Sequence, residues 1–418
     1  MKISPDHHSQ MHLAILGFGR EGKSVFKFLK RSPDYRGAKI EILDQKFDKN
    51  YLKNLARFDL IFRSPGVSYN LPALAAARKR GVKFSSATRF FFERCPAKII
   101  GVTGTKGKGT VSTLLYQILK AAGKDVHLVG NIGIPALDVL AKLRRNSLVI
   151  FELSSFQLQD LNVSPPAAVV LDIFPDHQDS HFSLREYYAA KANIARYQKF
   201  ADAVFFFQDS SRSRLAARQS RGRKIPVNPK LFSLFSPADL YLIGEHNFRN
   251  AVMAATVAAQ LGVSSLIIIR VAKRFRGLPH RLQFVRRIGP ASFYDDSAAT
   301  NPLAAAAGLR SFAGQSLALI AGGQGKALNY APLAQAIKHS PAKVVLLFGA
   351  DRKVLARALG QTDIKVILVE TLPQAVRNIS RFIPEVTAVL LSPGATSLDQ
   401  FRDYIERGEK FQQLVRRL

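Results

Sequence analysis

Short apolar runs recur along this chain, and most lead into stretches where apolar positions return every three or four residues. The short runs read as buried strands and the periodic stretches as helices. Strands are expected at residues 13–16, 40–43 and 60–62, then at 98–102, 148–151, 168–171 and 204–207, and last at 318–320, 344–348, 366–369 and 388–391. Helices are expected at 111–122, 303–309, 351–359 and 372–382, and around Val25, Phe26, Phe28 and Leu29. Regular alternation of strand and helix predicts an α/β protein of mostly parallel sheets flanked by helices. The pattern falls into three nucleotide-fold-like domains, residues 1–94, 95–278 and 279–418, the central one a P-loop domain. No repeat of solenoid period runs through the chain.

With 47% hydrophobic and 22% charged residues among 418, the chain can build sizeable cores, which excludes disorder throughout. No apolar stretch is long enough to cross a membrane. Residues 1–10 are polar and lack the apolar segment of a secretory signal. The single cysteine, Cys95, excludes an internal disulfide and a cysteine-based zinc site, so a reducing, cytoplasmic setting is expected. Charge adds a further pointer. Sixty-one Lys and Arg against 30 Asp and Glu give +31, a balance suited to polyanionic ligands. The excess is spread along the chain: residues 1–94 hold 19 basic and 8 acidic side chains, net +11, and the remainder carries +20. Only residues 212–224 (RSRLAARQSRGRK) form a basic block.

Candidate chemistry gathers at strand ends. After the first strand come Gly17, Gly19 and Gly22 in GFGREG, spaced so that backbone amides can approach a pyrophosphate at a helix N-terminus. The second strand ends in Asp44 and the third runs into Ser64. The sharpest local signal is the turn of Gly104, Thr105, Lys106, Gly107, Lys108, Gly109 and Thr110, between a strand and a helix. Its glycines free the backbone to wrap phosphate oxygens, Lys108 offers a point charge, and the helix adds its dipole. Gly109 stands where a phosphate loop normally has Ser or Thr, which leaves Thr110 as the hydroxyl for Mg²⁺. Phosphoryl chemistry needs further metal ligands. Glu152 and the cluster of Asp176, His177 and Asp179 follow strand ends in the same domain. Lys191 lies in an expected helix, and taken alone is an ordinary solvated lysine.

Together these segments resemble the Mur ligase family of ATP-dependent amide-forming enzymes. The resemblance rests on GVTGTKGKGT (101–110), GNIG (130–133), FELSSFQLQ (151–159), DHQDSH (176–181), YAAKANI (188–194), GEHNFRNAVMA (244–254), LPHRLQFV (278–285), DDSAATN (295–301) and GGQGK (322–326), in order over nearly the whole chain. The stretch at 391–411, LSPGATSLDQFRDYIERGEKF, is most similar to the D-glutamate-adding branch. The resemblance implies that ATP phosphorylates the carboxylate of UDP-MurNAc-L-alanine and that D-glutamate attacks the acyl phosphate, in peptidoglycan precursor synthesis. Carried over residue by residue, it places Lys108 on phosphates and Thr110, Glu152 and His177 on Mg²⁺, two ions being expected. Lys191 falls where family members carry a CO₂-derived carbamate that acts as a metal ligand. Asn247, Asp296 and Arg281 would contact the nucleotide, alongside the loop from Gly104 to Thr110. Gly17, Asp44, Ser64 and Asn131 would touch the UDP-sugar, and Thr300, Lys326, Ser397 and Tyr404 the amino acid. Three departures from the family pattern stand out: Lys106 in the phosphate loop, Gly109 as in the folylpolyglutamate synthase branch, and Ala298 where the D-glutamate branch usually has Lys.

Two other readings use part of the same sequence. A folylpolyglutamate synthase-like ligase would suit the Lys108-Gly109 pair but not the 391–411 stretch. A P-loop nucleic-acid-binding protein would suit the net charge, but no base-stacking motif accompanies the scattered basic residues, so no nucleic-acid partner is expected.

Overall fold

The computed structural model describes residues 11–176, 181–325 and 328–418. Its strands assemble into three sheets. The first holds β1 (His12–Leu16), β2 (Lys39–Leu43), β3 (Leu60–Arg63) and β4 (Lys83–Ser85), parallel and ordered β2-β1-β3-β4. The second holds β5 (Lys98–Thr103), β6 (Val126–Gly130), β7 (Leu148–Glu152), β8 (Ala167–Val170), β9 (Ala203–Phe207) and β10 (Arg223–Val227). It is parallel throughout, with order β10-β9-β8-β5-β7-β6. The third holds β11 (Gln283–Ile288), β12 (Ala291–Asp295), β13 (Leu317–Gly322), β14 (Ala342–Phe348), β15 (Lys365–Leu368) and β16 (Ala388–Leu391). Its order is β11-β12-β16-β13-β14-β15, and only the β11–β12 pair is antiparallel.

By packing, the chain forms two compact units. One comprises residues up to Phe232 with Arg249–Val271, the other Ser233–Phe248 with Ala272–Leu418. The first two sheets share the first unit. Its apolar core runs unbroken from Leu13, Ile15 and Phe62 to Val149, Phe151 and Val170. Phe91 and Phe151 meet edge to face at 5.5 Å within it. In the second unit, Tyr241 stacks on Phe284 at 4.3 Å and Ile243 packs on the same core, which ties the 233–248 segment to the third sheet.

Helices cover both faces of the third sheet, and the strands show why its sequence is continuously apolar. In β13, Leu317, Leu319 and Ala321 enter one core while Ala318 and Ile320 enter the other. Strand alternation therefore assigns side chains to faces, not to core or solvent. In the second sheet, β6 and β7 lie on one side of β5 and β8, β9 and β10 on the other. The order reverses at β5, and the carboxyl end of the strands at such a reversal is the usual ligand position. The first sheet reverses in the same way around β1.

Candidate active site

The loop after β5 is built for close approach. Lys108 begins the helix Lys108–Ala121, and Gly107 caps it with φ +82°. A Cβ at Gly107 would lie 2.3 Å from Oδ1 of Asn250, so the position excludes larger residues on two counts. Thr105 is anchored to the strand end beside it. Its amide donates to the Asp172 carbonyl at 2.9 Å, its Oγ1 accepts from the Phe174 amide at 2.9 Å, and the Tyr187 hydroxyl lies 2.8 Å away. Burial pushes the Tyr187 phenol up to about 12. Lys106 is exposed, whereas Lys108, Gly109 and Thr110 are half-buried on the first helical turn.

Two lysines converge on this loop. Lys108 Nζ donates to the carbonyls of Gly104 at 2.9 Å and Thr105 at 3.1 Å. Lys191 Nζ donates to the same Gly104 oxygen at 2.8 Å. Lys191 projects from the helix Leu184–Arg196 and is buried. Desolvation, then the charge of Lys108, holds its ammonium pKa well below the ordinary lysine value, against the opposing pull of Asp176 and Glu152. Glu152, the last residue of β7, is buried beside the end of β6. Its Oε1 accepts from Asn131 Nδ2 at 2.9 Å and its carbonyl accepts from the Asn131 amide at 3.1 Å.

Glu152 and Thr110 are hard oxygen donors. Among the described residues, no three His, Cys, Asp or Glu side chains cluster as a metal cage. That donor set fits Mg²⁺, which takes one or two carboxylates and completes its shell with waters and phosphate oxygens. His177 and Lys326, both named from the sequence, lie outside the described residues.

Gly17, Asp44, Ser64 and Asn131 line one cavity of about 620 Å³ at the end of β1. Asp44 accepts from the amides of Phe18 at 2.7 Å and Lys46 at 3.0 Å, and these bonds hold its carboxyl below the usual range. Ser64 Oγ donates to the Gly17 carbonyl at 2.6 Å. A Cβ at Gly22 would stand 2.2 Å from that carbonyl oxygen, so glycine lets the helix Arg20–Arg31 close on the turn. A separate cavity of about 430 Å³, between the helices Pro302–Arg310 and Ala331–Lys338, contains none of the residues named from the sequence.

In the second unit, Asp296 follows β12 and is buried against Ser392, whose Oγ donates to it at 2.7 Å. Burial raises its carboxyl to about 7; the Ser392 bond and the charge of Arg281 act the other way. Arg281 is exposed on the tight turn before β11. Asn247 is buried and bonded to the Ile243 carbonyl at 2.8 Å. Thr300 is half-buried and Ser397 buried, on the loops after β12 and β16. Tyr404 opens the helix Tyr404–Arg416, and its carbonyl accepts from Ser297 Oγ at 2.8 Å.

Arg407, which the sequence reading passed over, joins these loops. It is fully buried and donates to Ser297 Oγ and to the carbonyls of Ser297, Ala395 and Thr396. Its neighbour gives the missing signal: Gly408 lies within a helix because a Cβ there would sit 2.1 Å from His280 Nδ1. His280 in turn bonds Asp295 at 2.7 Å, which raises its pKa.

Comparison with known proteins agrees with this architecture. Residues 102–228 match the Mur ligase middle domain, and residues 280–394 match the Mur ligase glutamate ligase domain. A UDP-N-acetylmuramoylalanine–D-glutamate ligase of Acetivibrio thermocellus is 35% identical, covering 88% of this chain and 84% of that protein. One from Clostridium kluyveri is 31% identical and covers 96% of both. The solved UDP-N-acetylmuramate-alanine ligase of Thermotoga maritima shares the fold, with a TM-score of 0.58 at 19% identity over 98% of this chain and all of that one. So does a folylpolyglutamate synthase of Thermotoga maritima, with a TM-score of 0.56 at 15% identity over 73% of this chain and 90% of that one. The chain belongs to the Mur ligase family of ATP-dependent amide ligases.

Proposed function

We propose that this protein adds D-glutamate to the alanyl carboxylate of UDP-MurNAc-L-alanine, in the cytoplasm, as a step of peptidoglycan precursor synthesis. The supporting observation is the extent of the likeness. Relatives named for that reaction match 88% and 96% of the chain, so the likeness takes in the first sheet with its cavity as well as the phosphate loop.

The loop amides from Gly104 to Thr110 and the Lys108 ammonium suit a triphosphate. A carboxylate oxygen of the acceptor attacks the γ-phosphorus, and ADP leaves. The D-glutamate amine then attacks the acyl carbon, phosphate leaves, and the amine loses a proton. Glu152 and Thr110 would hold Mg²⁺, with His177 for a second ion, and the metal would supply charge neutralisation on the transferred phosphoryl group. Lys191 is suited to carbamylation, because its suppressed protonation favours the free amine that adds CO₂. Its carbamate would then offer oxygen ligands where an ammonium cannot. Asn247, Arg281 and Asp296 are assigned to the nucleotide, and Thr300, Lys326, Ser397 and Tyr404 to the amino acid. Gly17, Asp44, Ser64 and Asn131 are assigned to the nucleotide-sugar. The net charge of +31 draws these polyanions in and lowers their mutual repulsion.

Mass spectrometry of reactions with ATP and Mg²⁺ tests the assignment. D-Glutamate with UDP-MurNAc-L-alanine should give the amide product. A product formed from L-glutamate and a folate acceptor, with none from the first pair, would overturn it.

A further inference from the structure

The first two residues of the helix Arg20–Arg31 grip the segments just beyond β6 and β7, beside Glu152. Arg20 Nη2 donates to the carbonyls of Gly130 at 2.5 Å and Asn131 at 3.0 Å, just beyond β6. Glu21 accepts from Gln157 Nε2 at 2.6 Å, just beyond β7. The orientation of Gln157 is fixed, because its Oε1 already accepts from the Ser154 amide at 2.9 Å. Asn131, held by Arg20 through its carbonyl, bonds Glu152 through both its amide and its side chain. Arg20, Glu21 and Asn131 also line the 620 Å³ cavity with Gly17 and Asp44.

Arg20 therefore bonds one set of acceptors while facing a cavity that could offer another. The neutral carbonyls of Gly130 and Asn131 engage Nη2, and that of Gly133 engages Nη1 more weakly, at 3.4 Å. An anion in the cavity would offer charged acceptors, whose hydrogen bonds are roughly twice as strong. A planar fork can exchange between such sets, where a lysine presents only a point charge. Lys46 is the other cation on the cavity wall, and Asp44 there already accepts two backbone amides. Repartition of the Arg20 bonds would change how the Asn131 segment is held, and with it the donor on Glu152.

We propose that Arg20 and Glu21 are positioning residues that couple occupation of the cavity by a nucleotide-diphosphate sugar to the placement of Glu152 beside the phosphate loop. This rests on the acceptor assignment above. Coupling of this kind is reciprocal, so ATP binding and acceptor binding change one another by one factor.

The test is calorimetric titration of the full-length protein with UDP-MurNAc-L-alanine, with and without the non-hydrolysable analogue AMP-PNP and Mg²⁺. The wild type should show acceptor affinities that differ by about five-fold or more between the two states. Arg20→Lys keeps the charge but loses the fork, and should bring that factor close to one while both ligands still bind. Gln157→Ala, which removes the Glu21 contact and carries no assigned ligand role, should also lower the factor and serves if Arg20→Lys does not fold. A factor of one in the wild type, or an unchanged factor in the variants, overturns the inference and leaves the acceptor assignment standing. No acceptor binding to the wild type in either state defeats both.

Discussion

Lys108 and Lys191 donate to one oxygen, the carbonyl of Gly104, at 2.9 and 2.8 Å. They come from different elements, 83 positions apart, and both are basic. Lys191 is buried and Lys108 half-buried beside it, and desolvation, then the Lys108 charge, disfavours protonation of Lys191. A buried lysine whose pKa is held well below the ordinary value differs in kind from a solvated one.

Lys191→Ala should lower kcat by about a hundred-fold or more while the protein keeps a cooperative melt, an effect of the size seen when one charge-stabilising group is lost. Added short-chain carboxylates should restore part of the rate, and added alkylamines should not. Steady-state kinetics across a carboxylate series checks this; rescue by amines alone would assign Lys191 a cationic role instead.

Gly107→Ala should raise the KM for ATP and cost about 1 kcal/mol of stability from the left-handed backbone alone. Pairing it with Asn250→Ala removes the steric part, since the 2.3 Å approach is to Asn250 Oδ1, but leaves the φ of +82°. Thermal melts and ATP titrations of the two single variants and the double should therefore show partial recovery.

Asp296 gives a pH signature. Its folded carboxyl titrates at about 7, against 3.8 ordinarily. Between those values the folded state holds a proton that the unfolded state has released. Stability is therefore lost as pH rises from about 4 to 7, and the loss is complete above 7. Asp296→Asn should flatten this slope. Melting temperatures of both proteins should diverge over that range and run parallel above it.

Arg63, on β3, pairs with Asp160 at 2.9 Å and donates to the carbonyls of Val67 and Phe156. It is buried, so Arg63→Met strands a carboxylate and should cost about 3 kcal/mol or more. Arg63→Met with Asp160→Leu should cost less than Arg63→Met alone. Urea denaturation of the set measures the difference.

Much of the architecture is legible in the sequence. Apolar runs such as 344–348 and 388–391 mark β14 and β16 because strands covered on both faces need no polar positions. The phosphate loop was legible because its glycines serve the backbone itself. Strand β10, with its sequence RKIPV at the sheet edge, was hidden because Arg223 and Lys224 end the basic block and Pro226 follows, and an edge strand tolerates both charge and proline. The β11–β12 hairpin escaped because exposed Arg286 and Arg287 interrupt its apolar pattern. Arg20, Arg63 and Arg407 were illegible as structural groups for another reason. Their acceptors are mostly backbone carbonyls, which leave no trace in residue identity. The depressed pKa of Lys191 likewise depends on burial contributed by segments remote in sequence.

The reaction assigned to this chain spends ATP to join D-glutamate to UDP-MurNAc-L-alanine. Phosphate release measured across a panel of acceptors and amino acids tests it most directly. Sustained release should require both of these substrates together with ATP and Mg²⁺. Release with another amino acid, and none with D-glutamate, would contradict it.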